Sequence, residues 1–358
     1  MLTVRKRRLL GIALGLLLLS ALALVSRLLW KPSRGTPLDD ILSRTPAETT
    51  KQIYIDLDSL RQSPFLAELL RWAPETSADA DYARFVQSTG FDYEKDLDRV
   101  ALASWNSGAD TFLFAVAQGR FDRRKISAFA ERSGSKEIRG KREIFSVPAS
   151  GGSPRRIMLT FLRDDLLAVS NDVNFERLLS EAHNGPDAQA WSEHCRRLAG
   201  SPIFVVLRQD AAAGAELSSR APKGLQSPQL SALLDQLQWI TAAGKPVGDN
   251  LRVVLEGETT ADETFRQLSD VLNGMLALAQ AGLHDPKIRQ ELQPEVREAY
   301  LEMLESAEVT RIERGEAKSV RLVFDVTPQF LEAARRGTAL VPEAPQKKGA
   351  PKKGIIRN

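Results

Sequence analysis

Polar and apolar residues alternate from Gln52 to Leu57, which places Ile53, Ile55 and Leu57 on one face of a strand. Asp58 follows and is expected to cap a helix that buries Leu60, Phe65, Leu66, Leu69 and Leu70. A short helix near Asp81–Gln87 should end at Gly90. Strands are expected at Arg99–Trp105 and Thr111–Gln118, joined by the turn-rich Asn106-Ser107-Gly108. Asp122 then caps a helix carrying Ile126, Phe129 and Ala130. Further strands read at Glu143–Val147, Arg156–Leu162 and Leu166–Val169, and a helix beginning near Asn171 carries Phe175, Leu178 and Leu179.

The second half repeats this style. Pro202–Leu207 is a strand, and Ser227-Pro228 opens a helix with Leu230, Leu233, Leu234 and Leu237. Gln238–Ala243 and Leu251–Glu256 read as paired strands. Thr260 and Glu263 have capping-box spacing and open a long helix with Phe265, Leu268, Leu272, Met275 and Ala279 on one stripe. A further helix carries Val296, Tyr300, Leu301 and Leu304, Val309–Glu313 and Ser319–Val326 form a hairpin, and Gln329–Arg336 is a last helix. The order of elements in the halves matches, which predicts an α+β fold of two related units of antiparallel sheet with helices packed on one face, after an N-terminal transmembrane helix.

That helix is Leu9–Trp30, uncharged from Leu9 to Ser26 and broken only by Arg27. At about 1.5 Å per residue it spans a hydrocarbon core of about 30 Å. Arg5, Lys6, Arg7 and Arg8 precede it, and such a cluster stays cytoplasmic, leaving the body extracytoplasmic. The other reading is a secreted protein released by cleavage near Ala21-Leu22-Ala23, although the apolar run continues past that point. The expected organisation is a basic stub and anchor over 1–34, a linker over 35–50, units over 51–185 and 186–338, and a basic Pro/Lys-rich tail over 339–358.

The segments IYIDLDSLRQSPFLAELL and GFDYEKDLDRVALASW resemble an uncharacterised group of bacterial exported proteins with a single N-terminal anchor. That resemblance implies a bacterial envelope location and a repeated α+β fold, and with the anchor it makes the inner membrane the expected location. It transfers no catalytic residue.

Charge sharpens the picture. The formal charge is +3, but residues 1–34 hold seven Lys/Arg and no acid, and residues 342–358 hold five Lys/Arg and one acid. The body between them is therefore acidic, which argues against nucleic acid as a partner. Cys195 is the single cysteine, so neither a disulfide within the chain nor a cysteine metal cluster is available. His183, His194 and His284 lack zinc-helix spacing and read as surface residues. No cofactor and no metal are implied.

The weak candidates for a binding surface are acidic. Asp56 and Asp58 sit at a strand-to-helix corner, where ligands often bind. Asp92, Glu94 and Asp96 alternate ahead of Asp98, yet the sixth and twelfth positions of a calcium loop counted from Asp92 are Leu97 and Ala103. Solvated turn carboxylates, with Asp98 paired to an arginine, are the simpler reading. Ser133-Gly134-Ser135-Lys136 matches S-x-x-K without its companion motifs. The Phe265–Leu283 stripe reads as core rather than as a partner groove. A non-catalytic binding or scaffolding module is expected, with an envelope protein, lipid or polymer as partner. The alternatives are a carrier of an apolar ligand and a hydrolase using carboxylates distant in sequence.

Overall fold

A computed structural model describes residues 46, 48–63, 65, 80–108, 110–149, 155–180, 186–209 and 228–339. In chain order the elements are β1 (Lys51–Asp56), α1 (Leu57–Arg61), α2 (Ala80–Thr89), α3 (Tyr93–Asp96), β2 (Leu97–Ser107), β3 (Asp110–Gly119) and α4 (Arg123–Ser133). Then follow β4 (Ser135–Arg139), β5 (Arg142–Pro148), β6 (Arg156–Arg163), β7 (Leu166–Ser170), α5 (Phe175–Ser180), α6 (Pro186–Arg197) and β8 (Ile203–Arg208). The chain continues through α7 (Pro228–Leu234), β9 (Trp239–Val247), β10 (Asn250–Thr259), α8 (Asp262–His284), α9 (Pro286–Glu291), α10 (Pro294–Glu305), β11 (Glu308–Arg314), β12 (Ala317–Val326) and α11 (Pro328–Ala339). The fold class is α+β.

The strands form one sheet in the order β11-β12-β10-β9-β8-β1-β2-β3-β7-β6-β5-β4, with every neighbour antiparallel. This corrects the expectation of two separate sheets. β1 and β8 pair from Lys51↔Leu207 to Ile55↔Ile203 and fuse the two halves edge to edge. Outward from that junction the order is β1-β2-β3-β7-β6-β5-β4 one way and β8-β9-β10-β12-β11 the other, so the first side carries two further strands.

Helices cover both faces, which corrects the expected single layer. Neighbouring residues of β1 show why: Ile55 packs with Leu57, Leu60, Tyr93 and Val100, whereas Tyr54 packs with Phe175, Trp191, Cys195 and Phe204. Period-two side chains point to opposite faces, so a strand apolar at consecutive positions needs cover on both. The first face carries α1 and α3, and beyond the junction α7, α8 and α11. The second face carries α5 and α6, seated on Trp105, Phe114, Val116, Leu166 and Val206.

Several local readings change. Asp56, not Asp58, caps α1, its side chain accepting from Ser59 N at 2.9 Å. α8 has Ala261 at its N-cap, which carries no side-chain acceptor, while Thr260 accepts from Gln238 Nε2 and Glu263 accepts from Gln267 Nε2. Ser135 and Lys136 belong to β4, an edge strand with all five residues exposed, and Lys136 Nζ donates to Glu143 at 2.6 Å. α6 has no counterpart among the predicted helices. Among the described residues no helix is long and apolar enough to cross a membrane; Leu9–Trp30, His183, Ser227 and the tail beyond residue 339 lie outside them.

Phe204 is fully buried at the junction and stacks on Tyr54 with ring centroids 5.0 Å apart. Truncation there removes packing from both halves at once. Phe204→Ala should lower unfolding stability by about 3–5 kcal/mol, read from urea transitions by far-UV circular dichroism.

Candidate functional site: a buried carboxylate pair

Alternation along β10 sends Leu251, Val253 and Gly257 to the first face and Val254, Glu256 and Glu258 to the second. Two glutamates two residues apart on one strand stand about 6.6 Å apart along it. Both side chains are only 10% exposed, so each charge demands a partner.

The sheet supplies the partners of Glu256. Arg321 lies directly opposite on β12 and donates to Oε2 through Nε at 3.1 Å and through a terminal nitrogen at 2.8 Å. Arg314, at the end of β11 beside the positive-φ turn residue Gly315, donates to Oε1 and also reaches Ser319 Oγ at 3.2 Å.

Helix α6 supplies the partners of Glu258. Arg197 donates to Oε2 at 2.8 Å and lies 3.9 Å from Glu256, so one guanidinium touches both carboxylates. His194 Nε2 lies 3.3 Å from Glu258 Oε1, and its Nδ1 lies 2.8 Å from the Ala190 carbonyl. The imidazole stacks on Trp239 at 4.2 Å, and Trp191 meets the same indole edge-on at 5.0 Å. His194 is 5% exposed, which corrects its reading as a surface residue.

The electrostatics follow from these contacts. Burial alone would push Glu258 up, but hydrogen bonds from His194 and Arg197 outweigh it and pull the carboxyl down to about 2. Glu256 is likewise lowered, with the bonds from Arg314 and Arg321 exceeding the effect of burial. A general acid at neutral pH needs the opposite shift. The pair is thus a fixed double anion that pins α6 to the sheet. The neighbouring Cys195 faces the core, its Sγ donates to Gln52 Oε1 at 3.6 Å, and burial pushes its thiol up to about 12. Such a thiol is inert as a nucleophile.

The five acidic candidates lie around the far end of β1 and the start of β2, interleaved with cations. Asp56 Oδ2 accepts from Arg99 Nε at 3.0 Å while capping α1. Asp58 lies 3.6 Å from Arg61, which also donates to Asp98 at 3.2 Å. Burial raises Asp98, and Arg61 offsets part of that rise. Asp92 pairs with Lys95, and Asp96 receives the Asp92 amide at 2.9 Å and lies 3.5 Å from Arg120. The side chain of Glu94 lies outside the described residues. Among the described residues no three His, Cys, Asp or Glu side chains converge as metal ligands.

Sequence reasoning missed Glu256, Glu258, His194, Arg197, Arg314 and Arg321. The available signal was two glutamates on one face of an otherwise apolar strand, VVLEGET. Their partners come from residues 61 and 64 positions upstream and 58 and 65 downstream, so no local motif exists.

No family model and no curated protein matches this chain. Solved structures of TP0453 are similar to it at a low level. Crystal form III gives a TM-score of 0.44 at 11% identity, over 84% of this chain and 98% of that one. Crystal form I gives 0.41 at 10%, over 86% and 99%, and crystal form IV gives 0.43 at 10%, over 82% and 95%. Likeness at this level transfers no activity and no partner.

Because Glu258 sits lower in the folded chain than its ordinary value near 4.3, its contribution is complete above about pH 4.3 and fades as the pH falls towards about 2. Glu258→Gln should cost about 3 kcal/mol at pH 7. The gap to the unsubstituted chain should narrow between pH 5 and about pH 2, measured by urea unfolding across that series.

Proposed function

We propose that the chain is a membrane-tethered, extracytoplasmic binding or scaffolding module of a bacterial envelope, with no reaction of its own. The observation that carries this reading is the state of the buried acids. Glu256 and Glu258 have their oxygens committed to three arginines and a histidine and are driven towards permanent ionisation. That is the behaviour of a structural clamp; arginine also pairs with Asp56 and with Asp98, although burial raises Asp98.

The uncharged Leu9–Ser26 run, with Arg5–Arg8 ahead of it, supports a single-pass tether with a cytoplasmic N-terminus. We read the matching strand order on either side of β1 and β8 as two diverged copies of one α+β unit. On this reading the partner is an envelope protein, lipid or polymer.

Two measurements test the proposal. The full chain expressed in a bacterium with alkaline phosphatase fused after Asn358 should be active and should stay with membranes through carbonate extraction. Purified full chain offered chromogenic glycosides and esters should turn none over. Turnover abolished by Glu256→Gln in a chain that still folds would overturn the non-catalytic reading.

A further inference from the structure

Helix α8 changes character halfway along. Its fully buried residues, Thr264, Phe265, Leu268 and Ser269, all lie in its first third. The water-facing stripe there is polar: Glu263, Arg266, Gln267, Asp270 and Asn273 are exposed. At the same helical spacing that stripe continues as Gly274, Ala277, Leu278 and Ala281, all exposed. Leu278 is 75% exposed, and a side chain added at Gly274 would meet nothing within 4 Å. No charged residue occurs between Asp270 and His284. A surface helix in contact with water alone typically carries charged and polar residues along its outer stripe.

We infer that the second half of α8 lies against the surface of the bilayer into which Leu9–Trp30 is anchored. This rests on the tethered reading above. Residues 31–50 separate the anchor from β1 and span at most about 70 Å when fully extended, so the body never leaves the neighbourhood of its membrane. Under that constraint a modest apolar stripe suffices, because the tether has already brought the two surfaces together. The dimensions argue against a second copy of the chain as occupant. The stripe runs over eight residues, about 12 Å of helix, too little to bury the roughly 800 Å² per partner of a stable protein interface. Small side chains around one leucine suit shallow contact with the boundary between headgroups and acyl chains, which accepts an apolar face without shape complementarity.

The test uses the full chain in vesicles of phosphatidylethanolamine and phosphatidylglycerol. Leu278→Cys and Ile138→Cys are each labelled with an environment-sensitive fluorophore, with lipids carrying a nitroxide quencher. Ile138 is the control, 73% exposed on β4 at the far edge of the sheet, and the buried Cys195 does not compete for label. A label at 278 should shift to shorter wavelength and lose most of its emission to the quencher, while a label at 138 keeps its emission. Equal quenching at the two sites, or none at either, in a chain that resists carbonate extraction would overturn the α8 contact and leave the tether standing. A chain that carbonate strips from the vesicles would overturn both.

Discussion

The antiparallel pairing of β1 with β8 is the constraint on which the rest of the molecule rests. It joins two sets of strands, each continuous in sequence, into one sheet of twelve. At that seam Tyr54 stacks on Phe204, and Trp191 and Cys195 of α6 press on the same cluster. Because both central strands are apolar at consecutive positions, neither face can be left to water there. The seam therefore requires a helix on the second face, and α6 is that helix.

The clamp at Glu256 and Glu258 follows from the same requirement. Beyond the seam and past Trp239, the second face carries the carboxylates of Glu256 and Glu258 and the guanidiniums of Arg314 and Arg321. Arg197 and His194, at the last turn of α6, reach this region while Trp191 and Cys195 of the same helix stay in the apolar cluster. One helix thus spans an apolar seat and an ionic one. Replacing a single partner leaves a buried charge without its counter-ion, which costs more than the intact pairing contributes.

Much of the element order was legible in the sequence, because strong periodicity marks strands such as β1, β3 and β10 and helices such as α4 and α8. Of the stripe Phe265, Leu268, Leu272, Met275 and Ala279, the first four pack in the core, as their spacing indicated, while Ala279 is exposed. Three things were not legible. α6 carries its apolar residues sparsely, as Trp191 and Cys195 amid polar neighbours, so its pattern is weak. β4 is exposed throughout and shows no buried alternation. The ionic centre draws on α6, β10, β11 and β12, and only the register of the folded sheet places Arg321 across from Glu256. The capping changes are of another kind: at α1 two aspartates could take the position and Asp56 does, and at α8 the helix starts one residue later, after Ala261.

A sheet of this extent has only two free margins, and β4 forms one of them. Among the described residues its backbone donors and acceptors on that side have no strand partner, which ordinarily invites a second molecule to add a strand and start a fibre. Lys136, Glu137 and Arg139 occupy three of its five positions. Stacking a like strand in parallel register would bring identical charges within a strand spacing of one another. That margin thereby disfavours stacking with an identical strand in parallel register, the arrangement from which a fibre would grow.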